Sequence, residues 1–372
     1  MAETLLASAS ERQVWITTYF QEYVRQSRFM PYMTNADLNK GGIILTKFQA
    51  EGEAKRVINI PFIGRLKSAG VTGATVLDGV EENLTNYNCP ITIDWRRNAV
   101  RLPKSTTFRT EINLWNAAKD ALRVWESEKI RDDIIKAMTS AVVDANGTCA
   151  NWDVAGPAGQ NAFTAANKDR LLFGTLNSNY NATFATAAAN VTAAMKTSVS
   201  IMGLGKRIAK LADPRIRPFR ATAGDGREFF VAFHGARTFR DLKLDTTMVT
   251  ANTQARARES EGMKDNPLFQ DGDLLYDGVI HREVPEIDDY AVLAGFNGIG
   301  ASSADVRPIF LCGGGAVGIA WGQEPTPRTD LLKDYQFRPG VAIEELLGVK
   351  KINFNGLQNG IVTIFAGAAA DS

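Results

Sequence analysis

Between Lys104 and Asn146 the chain contains neither glycine nor proline, the two residues that most often interrupt regular structure. Within that stretch Phe108, Ile112, Trp115, Ala118, Leu122, Trp125, Ile130, Ile134, Met138 and Val142 recur mostly three or four positions apart. The intervening positions carry Arg109, Glu111, Lys119, Asp120, Arg123, Glu126, Glu128, Arg131 and Asp132. One apolar stripe opposed by a charged face predicts a single amphipathic helix of roughly 35 residues, about 50 Å long. Asn146-Gly147 is its expected stop. A helix about three times the usual length has the proportions of a strut.

The segments before it read as projections. Glu11–Arg28 carries Val14, Trp15, Tyr19, Tyr23 and Val24 at helical spacing, and Pro31 and Gly41-Gly42 mark irregular chain nearby. Residues 1–50 thus suggest an arm. Lys55–Ile63 and Pro90–Leu102 are β-branched, partly alternating runs that read as antiparallel strands. The polar, glycine-rich segment Gly64–Cys89 separates them, longer than the roughly 15 residues beyond which unstructured loops are usually functional.

Residues 147–185 are polar and rich in Gly, Asn and Ala, and predict loop with short turns. A second helix is expected over Ala187–Ala212, weakened by Gly203 and Gly205. Glu228–Phe233, Leu274–Pro285 and Arg307–Cys312 read as strands, and Arg237–Leu244 and Val341–Leu347 as helices. Lys350–Phe354 and Gly360–Phe365 suggest a hairpin around Asn355-Gly356. The elements do not alternate as βαβ units, so the class is α+β.

Composition narrows the function. The chain of 372 residues has 42 basic and 41 acidic side chains, a formal charge of +1. That balance argues against nucleic-acid binding by bulk electrostatics. Two histidines, His234 and His281, exclude a histidine-rich metal centre. Cys89, Cys149 and Cys312 are 60 and 163 residues apart, which excludes Cys2His2 zinc, argues against a disulfide framework and suits a reducing compartment. The first residues lack the basic start and apolar run of a secretory signal. The charge-free apolar stretch Ile309–Gln323 is too short to cross a bilayer. No cofactor or metal is expected.

Catalytic patterns are weak. Gly313–Gly318 matches G-x-G-x-x-G after a strand, as in dinucleotide sites where a helix follows. Here Pro325 and Pro327 leave no room for that helix, and the acidic residue expected about twenty positions on is missing. Close packing of a glycine-rich strand edge is the expected role. His234 and His281 read as hydrogen-bonded structural residues, and the adjacent acid pairs as solvated faces. One basic patch, Lys206, Arg207, Lys210, Arg215, Arg217 and Arg220, is opposed only by Asp213. Its expected role is an ion-paired surface, an interface or a lumen-facing patch. The loop between the two strands is acidic at Asp78, Glu81 and Glu82. An acidic loop and a basic patch on one chain suit head-to-tail assembly.

An arm, a projecting two-stranded loop, a very long helix, a mixed region and returning strands follow the order of tailed-phage major capsid proteins of the HK97-like fold. The loop segment GVTGATVLDGVEENLTNYNCPITIDWRRNAVRL, residues 70–102, resembles that of the N4-like phage major capsid family. The matching residues are Val71, Thr72, Gly73, Leu77, Gly79, Glu81, Glu82 and Leu84, then Ile91, Thr92, Ile93 and Asp94. AKDALRVWESEKIRDDI, RLLFG, KRIAKLADPRIRPFR, EFFVAFHGARTFRDL and GVKKINFNG are similar to further blocks of that family. The resemblance spans about residues 55–365.

It implies a shell protein that performs no chemistry. Residues 1–50 would be the N-terminal arm and 51–103 the extended loop. Residues 104–212 and 341–372 would form the peripheral domain, with its spine helix at about 108–143, and 213–340 the axial domain. Lys67, Val71, Thr72, Gly73, Leu77, Asp78, Glu81 and Glu82 would contact a neighbouring copy. The implied partners are further copies in hexamers and pentamers, a portal at one vertex, a decoration or cement protein, and enclosed double-stranded DNA. The short segment ahead of the loop suggests a separate scaffolding protein. Some relatives cross-link a loop lysine to a neighbour's asparagine. Lys67 could supply the lysine, but no partner is selected, so no cross-link is expected. The implied location is the virion, after assembly in the bacterial cytoplasm. The rival readings are an NAD-binding enzyme using Gly313–Gly318 and a non-viral encapsulating shell protein.

Overall fold

The computed structural model describes residues 27–35, 42–48, 56–73, 76–109, 114–144, 147–220, 228–254, 273–330 and 333–371. The helix expected over Glu11–Arg28 lies, apart from its last two residues, outside them. So does most of the expected arm.

In chain order, β1 (Met33–Asn35) and β2 (Ile44–Phe48) precede a long hairpin of β3 (Val57–Ile63) and β4 (Asn86–Thr92). Strand β5 (Asp94–Arg101) is followed by helices α1 (Lys104–Arg109) and α2 (Leu114–Thr139). The short strands β6 (Ala141–Val142) and β7 (Cys149–Ala150) come next. Then follow α3 (Trp152–Ala166), β8 (Leu171–Phe173), α4 (Phe184–Ala189) and α5 (Val199–Leu211). The next stretch holds β9 (Phe219–Arg220), β10 (Glu228–His234), α6 (Ala236–Leu244), α7 (Thr246–Gln254), β11 (Asp273–Tyr276), β12 (Val279–Glu283) and α8 (Glu286–Leu293). Strands β13 (Val306–Cys312), β14 (Val317–Asp330), β15 (Gly340–Lys351), β16 (Asn353–Phe354), β17 (Leu357–Gln358) and β18 (Ile361–Gly367) complete the chain.

Two compact units are present. The larger comprises the described parts of 28–94, 131–322 and 347–372. Its main sheet runs β11-β12-β10-β13-β18-β8, with β9 paired to β10. Every residue of β13 and β18 is buried, as expected for strands covered on both faces. On one face Ile309, Leu311, Val362 and Ile364 pack with Ile201 and Met202 of α5 and with Phe239 and Leu242 of α6. Gly205 permits that approach, because a Cβ there would lie 2.7 Å from Ile364. On the other face Phe173 and Phe365 join Trp152, Phe163, Phe184 and Phe296. The Phe173 and Phe365 rings stack at 4.9 Å, and Trp152 meets Phe184 edge-on at 4.7 Å. Arrangements of this kind add to simple burial. Separately, β1 pairs with β2, and β2 with the start of β14, both in parallel.

The smaller unit comprises the described parts of 1–27, 95–130 and 323–346. Its strands lie in the order β14-β15-β5. Leu122 of α2 packs with Val341 and Ile343 of β15, and Val100, Trp115 and Trp125 surround them. Glu345 is buried beside them and pairs with Arg96 of β5. The Arg96 guanidinium lies 6.0 Å above the Trp125 ring, a cation–π position. The Glu126 carboxyl is pushed above its ordinary value by burial and, next, by the Glu345 charge.

Several expectations are corrected. The long helix α2 has 26 residues and ends at Thr139, ahead of Asn146. There the Thr139 and Ser140 hydroxyls donate to the carbonyls of Ile135 and Ala137 at 2.9 and 2.7 Å. Such bonds compete with helix continuation, and β6 begins directly after. Residues 152–166 form a helix where loop was expected, kinked at Gly156 (φ 61°) ahead of Pro157. The helix expected over Ala187–Ala212 is two helices, α4 and α5, and Ser198 caps the second by accepting from the Ile201 amide. Leu274–Pro285 is a hairpin, turned at Asp277 and Gly278 with φ of 46° and 68°. Pro90–Leu102 breaks at Ile93, whose amide donates to the Arg56 carbonyl at 3.0 Å. Val341–Leu347 is strand, not helix: Val341, Ile343, Glu345 and Leu347 alternate inward. The Asn355-Gly356 turn joins β16 to β17 and not to the expected Gly360–Phe365 run, since β18 pairs with β13 and β8.

Candidate assembly site

The hairpin β3/β4 is two-faced. Cross-strand pairs Ile58–Ile91, Ile60–Cys89 and Phe62–Tyr87 occupy its inward face, since alternate residues share a side. Phe62 and Tyr87 close on Phe354 at 5.9 and 4.8 Å between ring centres. Gly318 of β14 lets its strand lie against the same face, because a Cβ there would meet Ile91 at 2.8 Å. This anchors the hairpin to the larger unit.

Past β3 the chain leaves the core but keeps its form. The Gly64 amide donates to the Thr85 carbonyl at 2.8 Å. The Glu82 carboxylate then accepts the amides of Lys67, at 2.7 Å, and Ser68, at 2.6 Å. These bonds, from Lys67 first, hold its carboxyl below the usual range because they favour the charged form. At the tip the Val80 amide donates to the Leu77 carbonyl at 3.0 Å. Gly79 takes φ +85°, which a type II turn requires of its third residue. The Glu81 carboxylate accepts the Gly79 amide at 2.8 Å. Between Gly64 and Thr85 the loop is therefore held by backbone clips and a turn, and the rest of the segment resembling the capsid family is strands β4 and β5.

The apolar side chains of the loop are left outside. Val76 is 71 % exposed, and Leu66, Leu77, Val80 and Leu84 are also exposed. Gathered on one loop, they form the kind of patch that marks an interaction surface. Of the expected contact residues, Lys67, Thr72, Gly73, Leu77, Asp78, Glu81 and Glu82 are exposed and Val71 is half-buried.

Asp213 holds the neck of the loop. Lys67 Nζ lies 2.7 Å and Arg65 Nη2 3.4 Å from its carboxylate. The Lys67 bond is the main reason its carboxyl sits below the usual range. Beside this neck is a cleft of about 550 Å³ with Pro61, Phe62, Ile63, Pro214 and Phe354 among its walls. Arg65, Arg215 and Arg217 also line it.

The expected basic patch is thus divided. Arg215 and Arg217 join Arg65 in the cleft, a grouping with no sequence signal because Arg65 is distant along the chain. Lys206 instead pairs with Asp277 at the β11–β12 turn at 3.0 Å. Arg207 and Lys210 lie exposed on α5, and Arg220 lies in β9.

The glycine run Gly313–Gly318 leads into the strand β14, so the helix that a dinucleotide site needs is missing there. A Cβ at Gly313 would run into the Arg217 carbonyl oxygen, which is close backbone packing. His234 Nε2 and His281 Nδ1 lie 3.0 Å apart in the core. Burial lowers both pKa values, that of His281 to about 4. Among the described residues no group of His, Cys, Asp or Glu is arranged to hold a metal, and no helix is long and apolar enough to cross a membrane.

Comparison with known proteins gives this geometry its context. Residues 3–365 match the family described as Phage capsid protein. The chain is 24 % identical to the major capsid protein of Pseudomonas phage KPP25, over 96 % of this chain and 95 % of that one. It is similar to a chain of the capsid asymmetric unit of cyanophage Pam1, with 46 % identity, a TM-score of 0.89 and full coverage of both chains. A capsid chain of Ralstonia phage GP4 shares the fold at 18 % identity, with a TM-score of 0.71 and full coverage of both. The fold is the α+β, HK97-like capsid fold, and the reading as an NAD-binding enzyme is set aside. The chain belongs to the phage capsid protein family, as a structural subunit of the shell.

Proposed function

We propose that copies of this chain close into hexamers and pentamers of an icosahedral shell, with residues 64–85 laid over a neighbouring copy. The projecting loop carries this reading: its backbone is fixed by Glu82 and the Leu77–Val80 turn, while its apolar side chains lack cover. A loop built to persist and left apolar is one to be covered on assembly.

In this reading residues 1–50 serve as the arm and 51–103 as the extended loop. Residues 104–212 with 341–372 form the peripheral domain around the spine, and 213–340 the axial domain. The partners are a scaffolding protein during assembly, a portal at one vertex, a decoration or cement protein, and double-stranded DNA enclosed with weak contacts. The subunit assembles in the host cytoplasm. The near-zero net charge suits a shell that encloses DNA without gripping it. No cross-link through Lys67 is proposed, since its ammonium is engaged by Asp213.

Deleting Lys67–Glu82 tests the reading. The subunit should fold, as judged by circular dichroism, yet give no stable shells by negative-stain microscopy. Normal particles would overturn the role of the loop.

A further inference from the structure

We propose that the cleft lined by Arg65, Arg215 and Arg217 receives the extended-loop tip, Val76–Glu81, of a second copy. The inference rests on the reading that the loop lies on a neighbour, and it names the receptor.

The two surfaces match in chemistry. The cleft pairs apolar walls, including Phe62 and Pro214, with three guanidinium groups, and none of its described lining residues is acidic. The tip has the reverse character. Val76, Leu77 and Val80 are exposed and alternate with the carboxylates of Asp78 and Glu81. Guanidinium forks suit carboxylates, and apolar walls suit the valines and leucine between them.

The two surfaces also lie apart on the chain. The cleft is walled by the base of the loop, and no tip residue lines it in the same copy. Tip into cleft is therefore a heterologous contact. Repeated from copy to copy it closes a ring when the rotation divides a full turn. The neck joins the loop to the cleft wall within one copy: Asp213, which holds Lys67 and Arg65, directly precedes Pro214 and Arg215 of that wall.

Particles assembled from the full chain test the assignment. In the double variant Asp78→Cys with Arg215→Cys, non-reducing denaturing electrophoresis should show disulfide-linked multimers. Either single variant should show none, which controls for the native cysteines. Arg215→Glu with Arg217→Glu should lower particle yield about tenfold or more while the subunit still folds, as a like-charge interface predicts. Adding Asp78→Arg should restore part of that yield. Normal particles from the double-glutamate variant, or no multimers from the double-cysteine variant, overturn the receptor. If the loop deletion still blocks assembly in that case, the loop reading stands alone. Particles of normal yield that retain less DNA would show that the cleft faces nucleic acid, and would also overturn the proposal.

Discussion

Lys67 donates from its ammonium to the Asp213 carboxylate across 2.7 Å, joining residues 146 positions apart in the sequence. Both side chains are largely exposed, so the contact orients the loop more than it stabilises the fold. Asp213→Asn should leave the unfolding midpoint almost unchanged. It should speed protease cleavage within Gly64–Thr85, measured by limited proteolysis of the subunit. An unchanged cleavage rate would mean that the neck is held by other contacts.

The Glu82 clip predicts an acid-sensitive loop. Its folded-state pKa is depressed from the ordinary 4.5, so its contribution is present above that value and is lost as pH falls through the folded pKa. Glu82→Gln should remove most of the effect at neutral pH while keeping the side-chain shape. Amide hydrogen exchange at Lys67 and Ser68 should accelerate in the variant, and equal rates would contradict the clip.

The buried histidine pair gives acid sensitivity in another window. His281 falls from 6.5 to about 4 in the folded chain, because burial disfavours its charge. The unfolded chain therefore binds the extra proton below about pH 6.5, and stability declines from there down to about pH 4. The shift corresponds to a loss on the order of 3 kcal/mol. His281→Gln should flatten that part of the stability profile in denaturant titrations at several pH values. A profile as steep as that of the parent would place the effect elsewhere.

The smaller unit depends on a charge kept out of water. Glu345 is 1 % exposed, and Arg96 is its ion-pair partner. Arg96→Ala should destabilise the chain by about 3 kcal/mol, since it removes a cationic partner from a buried carboxylate. Arg96→Leu combined with Glu345→Leu should cost clearly less. Equal losses in both, measured by urea unfolding, would show that packing of Arg96 on Trp125 matters more than the charge.

The same pair explains why β15 was hard to read. A glutamate at an inward position hides the period of two in Val341–Leu347, and its partner Arg96 is far off along the chain. Trp152–Ala166 was obscured for a local reason, because Gly156 and Pro157 sit inside the helix. The long helix and the 307–312 strand are legible from their apolar pattern, the loop strands are legible apart from the break at Ile93, and the family blocks are legible by resemblance alone. The arginine cleft was not, since Arg65 and Arg215 meet only through the tertiary fold. The role of Glu82 became plain only from its backbone partners.

Cryo-electron microscopy of assembled shells tests the central claim most directly. The account predicts residues 64–85 lying over a neighbouring copy, with Asp78 beside that copy's Arg65, Arg215 and Arg217. Loop density folded onto its own subunit, with the cleft left open to solvent, would contradict it.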